Sequence, residues 1–249
     1  MKNNPVIYTD PDGRKKKEDK TDISKKENTK KEPEKSLDLS NLFVDGSRDD
    51  EKKITEEGKQ EIEDIMNELK KIDPTVSVNK EGMITHGGEA QKGYEKGYEL
   101  LDSLIKGKTK VTIMDSIHDR TGKSEGANKF ALENETVYWN KDNSVPFPIA
   151  EGSGISNEPN PTVSLAHELI HAMHWQQGKI DYSEADYKDA KGIMRKAPLE
   201  ELKTIGIGKY RNGVTENDIR REINARKKPG EKKIPIRTGY TKDDKKKHM

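Results

Sequence analysis

The stretch His167-Glu168-Leu169-Ile170-His171 constrains this chain more than any other. Imidazoles four residues apart share one face of a helix and can close on a single metal ion. Glu168, beside the first imidazole, is placed to polarise a water held there. The flanking residues ask for a helix. Asn160 can cap it, Pro161 suits the first turn, and Gly178 is a ready left-handed terminator. Val163, Ala166, Ile170 and Met173 recur at helical spacing, and Leu165 and Leu169 widen the apolar flank. The helix is therefore expected to be largely internal. Two histidines and a glutamate on a buried helix need a partner that offsets their desolvation. Zinc is that partner. His174 lies off the ligand spacing and reads as structural or surface, while His86, His118 and His248 are isolated.

A catalytic zinc takes three protein ligands and keeps a fourth position open. No third histidine follows at short spacing, so a carboxylate from a later helix is expected to complete the set. Glu200 and Glu201 come far enough along the chain for a returning helix to stand beside the first. Glu201 is favoured as the ligand and Glu200 is second, since one of the pair can coordinate while the other orients a histidine.

Composition decides where the domain lies. Only 29% of the 249 residues are hydrophobic and 37% are charged, too lean a mixture for a core spread over the whole chain. Lys, Glu and Asp concentrate at the two ends, so residues 1–52 read as a disordered leader, 53–242 as the folded domain and 243–249 as a frayed tail. Within the leader, Leu37, Leu39, Leu42, Phe43 and Val44 form an apolar cluster able to dock on the domain or on a partner. A net charge of +1 argues against a nucleic-acid binder. No run is long and apolar enough for a membrane span, and the first residues lack the apolar core of a Sec signal peptide. The absence of cysteine removes disulfides and thiolate zinc sites. Such a chain is cytosolic, or is exported unfolded by a dedicated machine to work inside another cell.

Helices are predicted over residues 55–72 and 89–106, with short strands at 75–78, 110–114 and 135–140. The last of these strands is a candidate to pair with an extended substrate above the metal helix. Thr121-Gly122-Lys123-Ser124 lacks the upstream glycine and strand of a phosphate-binding loop and is set aside. Asp181, Glu184, Asp186 and Asp189 lie on a polar stretch. A short helix is expected to end near Gly206, and Thr215 with Asp218 three residues on marks another helix start.

Four motifs in order carry a family resemblance: His167 to Ala172 (H-E-L-I-H-A), Glu200 to Gly206 (E-E-x-x-T-I-G), Thr215 to Arg220 (T-E-N-x-I-R) and Pro235 to Tyr240 (P-x-R-x-x-Y). Together they resemble the NleD-like effector zinc metallopeptidases, a domain also found at the tips of bacterial polymorphic toxins. The likeness covers roughly residues 75–242; the polar stretch 224–233 is longer than the pattern asks for. It implies an α+β, zincin-like fold with the active-site helix under a small sheet. It also implies an effector delivered into host cells, where characterised members cut MAP kinases. The expected function is zinc-dependent proteolysis, with Glu168 as general base and Arg237 and Tyr240 as donors to the developing oxyanion, converging if their segment turns helically. The expected partners are a protein substrate and a secretion chaperone or immunity protein, with neither nucleic acid nor membrane, and the chain is expected to be a monomer. The rival readings are an interbacterial toxin peptidase and a non-enzymatic interaction protein with a relic metal site.

Overall fold

The computed structural model of the protein describes residues 40–48, 52–116, 128–142, 147–148, 155–156 and 160–240. The leader before residue 40, the tail after 240 and the stretch 121–124 lie outside the described residues.

Leu42–Val44, which the sequence places in the leader, form strand β1. Leu42 is fully buried and Val44 nearly so, because the alternation of Leu, Phe and Val presents two side chains to one face. Burying such side chains stabilises by about 1.5–3 kcal/mol each. Strand β1, although it lies before residue 52, therefore packs as part of the domain, and this part of the apolar cluster docks there. Helix α1, Glu56–Ile72, follows; Thr55 caps it by accepting from the Gly58 amide, with Glu56 and Glu57 in the first turn and Lys70 and Lys71 in the last. Strands β2, Val76–Val78, and β3, Ile84–His86, form an antiparallel pair.

Helix α2 spans Glu95–Ile105, six residues shorter at its start than the apolar spacing suggests. Gly93 is the reason: at φ 83° it lies in left-handed space that a right-handed helix excludes. Strand β4, Val111–Asp115, then enters the core, followed by β5, Lys129–Ala131, and β6, Thr136–Trp139. Together with β1 they make a four-stranded sheet in the order β1-β4-β6-β5. Its first three strands are mutually parallel, and β5 runs antiparallel to β6. Strand β6 thus uses both edges within the protein and has none left for a substrate strand. Among the described residues, the outer strand on that side is β5. A small pair, β7 at Phe147–Pro148 and β8 at Ile155–Ser156, follows.

The metal-motif helix, α3, is Pro161–Gln176. Every residue from Leu165 to His174 is buried, as expected of a helix apolar on most of its circumference. It packs on β6 and β5 and is flanked by α1 and α2, and the Trp139 indole donates to the Pro161 carbonyl at 3.1 Å, pinning the helix start to the sheet. Asn160 caps it through the Val163 amide at 2.9 Å, and Gly178 at φ 64° ends the turn that follows.

Beyond it, the polar stretch forms a hairpin of β9, Glu184–Lys188, and β10, Met194–Pro198. It runs directly into α4, Leu199–Ile205, and α5 follows at Glu216–Arg226. A second apolar cluster of Tyr187, Ala197, Leu202, Ile205 and Ile207 joins the hairpin to α4. The architecture is mixed α+β. No helix among the described residues is long and apolar enough to cross a membrane.

Candidate metal centre

Helix α3 supplies His167, Glu168 and His171, all at most 9% exposed. Helix α4 packs against α3. Its first turn is held in place by the loop before the hairpin, because the Asp181 carbonyl accepts from the Glu200 amide at 2.8 Å and the Ser183 carbonyl from the Leu199 amide at 2.7 Å. This docking turns Glu201 toward the two imidazoles and Glu200 behind one of them.

The resulting geometry is a triangle. His167 Nε2 and His171 Nε2 are 3.1 Å apart, Glu201 Oε2 is 3.5 Å from the first, and Glu201 Oε1 is 3.3 Å from the second. Ligands at about 2.0–2.2 Å from a tetrahedral zinc stand about 3.3–3.6 Å from one another. The three donors therefore already lie at nearly the separations that one metal ion requires, and together they are a candidate metal-binding group. Two nitrogens and a carboxylate oxygen suit zinc, and three ligands leave its fourth position open.

The outer ring nitrogens are held by other acids. His167 Nδ1 meets Glu216 Oε2 at 2.7 Å, and His171 Nδ1 meets Glu200 Oε1 at 3.0 Å. An ionised carboxylate accepts, so each Nδ1 carries a hydrogen and each Nε2 is the nitrogen that faces the centre, able to offer its lone pair once deprotonated. Glu200 Oε1 also bonds His174 Nδ1 at 2.7 Å and the Thr204 hydroxyl at 3.2 Å. Glu216 is itself gripped: Arg220 donates to its Oε1 at 2.7 Å, and Arg237 NH1 lies 3.4 Å from its Oε2.

Electrostatics follow from this packing. Burial alone would lower the His167 pKa; the Glu201 and Glu216 carboxylates override it and hold the imidazole up at about 9. His171 is likewise raised despite its burial, chiefly by Glu201 and Glu200. For Glu201 the two imidazoles outweigh desolvation, and for Glu216 the Arg220 and Arg237 charges do, so both acids stay ionised. Raised imidazoles and lowered carboxylates favour protons within the cluster, and a bound metal ion would have to displace them. Glu168 is buried beside it, and its Oε2 has no hydrogen-bond partner among the described residues. An acceptor left open in such a place is suited to take a proton.

The Peptidase_M91 family, described as an effector protein, matches residues 50–239. The chain belongs to this family. The match supports the NleD-like resemblance drawn from the four motifs. No curated protein and no solved structure gives a significant match.

Within this M91 domain, the structure brings His167, His171 and Glu201 together and sets Glu200 behind His171. Arg237 and Tyr240 do not lie on a helical turn, since residues 232–240 contain no helix. The Asn217 side chain instead clasps the Arg237 backbone, accepting from its amide at 2.9 Å and donating to its carbonyl at 2.8 Å. The Arg237 guanidinium reaches Glu216 and the Gly239 carbonyl. Tyr240 packs against the second apolar cluster, its amide donating to the Tyr187 hydroxyl at 3.0 Å. Three features escaped sequence reasoning. The carboxylate–arginine support by Glu216 and Arg220 was visible only as a motif, with an i, i+4 spacing that could have signalled a pair. His174, read as structural or surface, is buried, and what escaped is its partner, Glu200 Oε1. Tyr182 is 51% exposed, its phenol pushed up by partial burial and by the charges of Glu200, Glu201 and Glu168.

Proposed function

We propose that this protein is a zinc-dependent endopeptidase of the zincin type, an effector that cleaves a host protein. By family likeness the substrate class is the MAP kinases. The observation that carries the reading is the His167–His171–Glu201 triangle, with both outer imidazole nitrogens committed to acids and Glu168 beside it. His167 Nε2, His171 Nε2 and the Glu201 carboxylate would hold a zinc ion, which when bound would supply Lewis acidity. The remaining work falls to the chain. Glu168 takes the proton of the attacking water and returns it to the amine nitrogen as the C–N bond breaks. Glu216, braced by Arg220 and Arg237, and Glu200, braced by Thr204, keep the imidazoles in register. With its guanidinium on Glu216, Arg237 positions His167, and the half-exposed Tyr182 phenol, which feels the Glu200, Glu201 and Glu168 charges, is the donor proposed to meet substrate. An extended substrate pairs with the outer edge of β5.

The test is proteomic mapping of cleavage in host lysate with wild type against Glu168→Ala, alongside metal analysis. Wild type and Glu168→Ala should each hold about one zinc per chain, and the cleavage products should appear with wild type alone. Tyr182→Phe should lower kcat by roughly tenfold to a hundredfold with zinc content unchanged. Full cleavage by Glu168→Ala would overturn the peptidase reading, and an unaltered kcat in Tyr182→Phe would remove the role given to that phenol.

A further inference from the structure

Beside His174 the protein has a cavity of about 630 Å³. It lies between the C-terminal end of α3, helix α2 and the chain leading from α4 to α5. A volume of that size takes a small organic molecule. Three lysines, Lys179, Lys203 and Lys209, line it. Among the described residues none of the three has a carboxylate within ion-pair distance, whereas Lys59, Lys71, Lys96, Lys106 and Lys141 are each paired with an acid. Lys203 donates to the Lys179 carbonyl at 3.5 Å, and Lys209 lies 5.1 Å over the Tyr210 ring. Asp181 feels the Lys203 charge but is occupied with Ser183. The one acid in the lining, Glu99, is neutralised by Lys96 at 2.6 Å. Three lysines without an ion-pair partner around one concavity raise a positive potential in it.

His174 gives the cavity a polar base. It is 6% exposed, its Nδ1 is committed to Glu200, and Nε2 is the ring nitrogen left over on a side chain that lines the cavity. A phosphoryl group, with a second pKa near 6, can meet such a nitrogen as donor or as acceptor. Met173, Tyr210 and Val214 add apolar wall, suited to the carbon frame of an organic phosphate.

We propose that this cavity is a binding site for a small organic phosphate. Its phosphoryl oxygens rest on Lys179, Lys203 and Lys209, and His174 links it to the metal centre. The link is short: Glu200 Oε1 accepts from the Nδ1 atoms of both His174 and His171. A ligand that shifts His174 therefore redistributes the hydrogen bonds that orient His171. Binding stands independently of the peptidase reading; the link rests on the metal reading.

The probe is fructose 1,6-bisphosphate, titrated into full-length, zinc-loaded protein carrying 13C-methyl methionine. The Met173 methyl resonance, assigned with Met173→Leu, should shift saturably. The paired substitution Lys179→Gln/Lys203→Gln should weaken binding about tenfold or more, and added KCl should weaken it in wild type. The rate at which excess chelator strips zinc should change severalfold on saturation in wild type and stay constant in the lysine variant. A Met173 response that never saturates, or that KCl of equal ionic strength reproduces, would overturn the site. A saturable response with an unchanged zinc off-rate would overturn the link. If the metal reading itself fails, the protein will hold no zinc while the Met173 response persists, so the two failures are distinguishable.

Discussion

Glu216 shows what a single buried acid does here. It lies at the first position of α5, accepts from Arg220 and Arg237, and holds His167 Nδ1 at 2.7 Å. A carboxylate orienting a ligating histidine sharpens its lone pair, and losing such a partner weakens metal affinity by roughly ten to a hundredfold. Glu216→Gln keeps the shape but surrenders the charge that the two arginines and the imidazole share. Zinc affinity, measured by competition with a chromogenic chelator, should fall by that factor, with one zinc still bound at saturation. An affinity equal to wild type would mean that the Glu216–His167 bond does not tune the ligand.

At the level of elements, the site depends on how α4 hands over to α5. Gly206 ends α4 at φ 80°, and a Cβ there would sit 2.6 Å from the Thr215 hydroxyl oxygen and 2.7 Å from its Cβ. Thr215 caps α5, one residue before Glu216. A side chain at position 206 thus collides with the cap that seats an acid behind the metal centre, and adds the strain of a left-handed backbone. Gly206→Ala should lower stability by about 1–3 kcal/mol, read by denaturant unfolding, and should also weaken zinc binding. If the variant matches wild type in both, the close packing of the two helix ends has no energetic consequence. A comparable dependence on one junction explains the hairpin β9–β10. Its root residues Asp181 and Ser183 cap the first turn of α4, so the hairpin places Glu201 while contributing no donor of its own to the triangle.

For the whole molecule, the candidate metal centre is expected to tie stability to pH. His167 is held at about 9, against 6.5 for an unperturbed imidazole. A pKa raised on folding contributes stability that is fully present below the unfolded value and is lost as pH rises through the folded one. Chelated protein should therefore lose stability, on the order of a few kcal/mol, between about pH 6.5 and 9. Zinc affinity should rise across the same window, because the metal needs the deprotonated rings. Melting temperatures with and without chelator at several pH values check both, and the gap between them should widen with pH. A constant gap would show that the imidazoles are neutral before the metal arrives.

Some of this was legible in the linear chain. The His167–His171 spacing, the Asn160 cap, the Gly178 terminator and the buried apolar flank are local properties, and a helix follows from them because its periodicity is set by the backbone alone. The same holds for α1 and for the Thr215 cap. The choice of Glu201 for the triangle and Glu200 for the outer position needed the angle at which α4 docks, which is set by two hydrogen bonds from a loop some twenty residues upstream. Glu216, Arg220 and Arg237 gather behind His167 from across a span of seventy residues, and no local pattern specifies such a meeting. Strand order is equally non-local: β6 looked free to receive a substrate until β4 and β5 took its two edges, and Leu42–Val44 looked like leader until β4 offered a partner. Periodicity reports which face of an element is apolar; only tertiary packing decides what that face, edge or acid will meet.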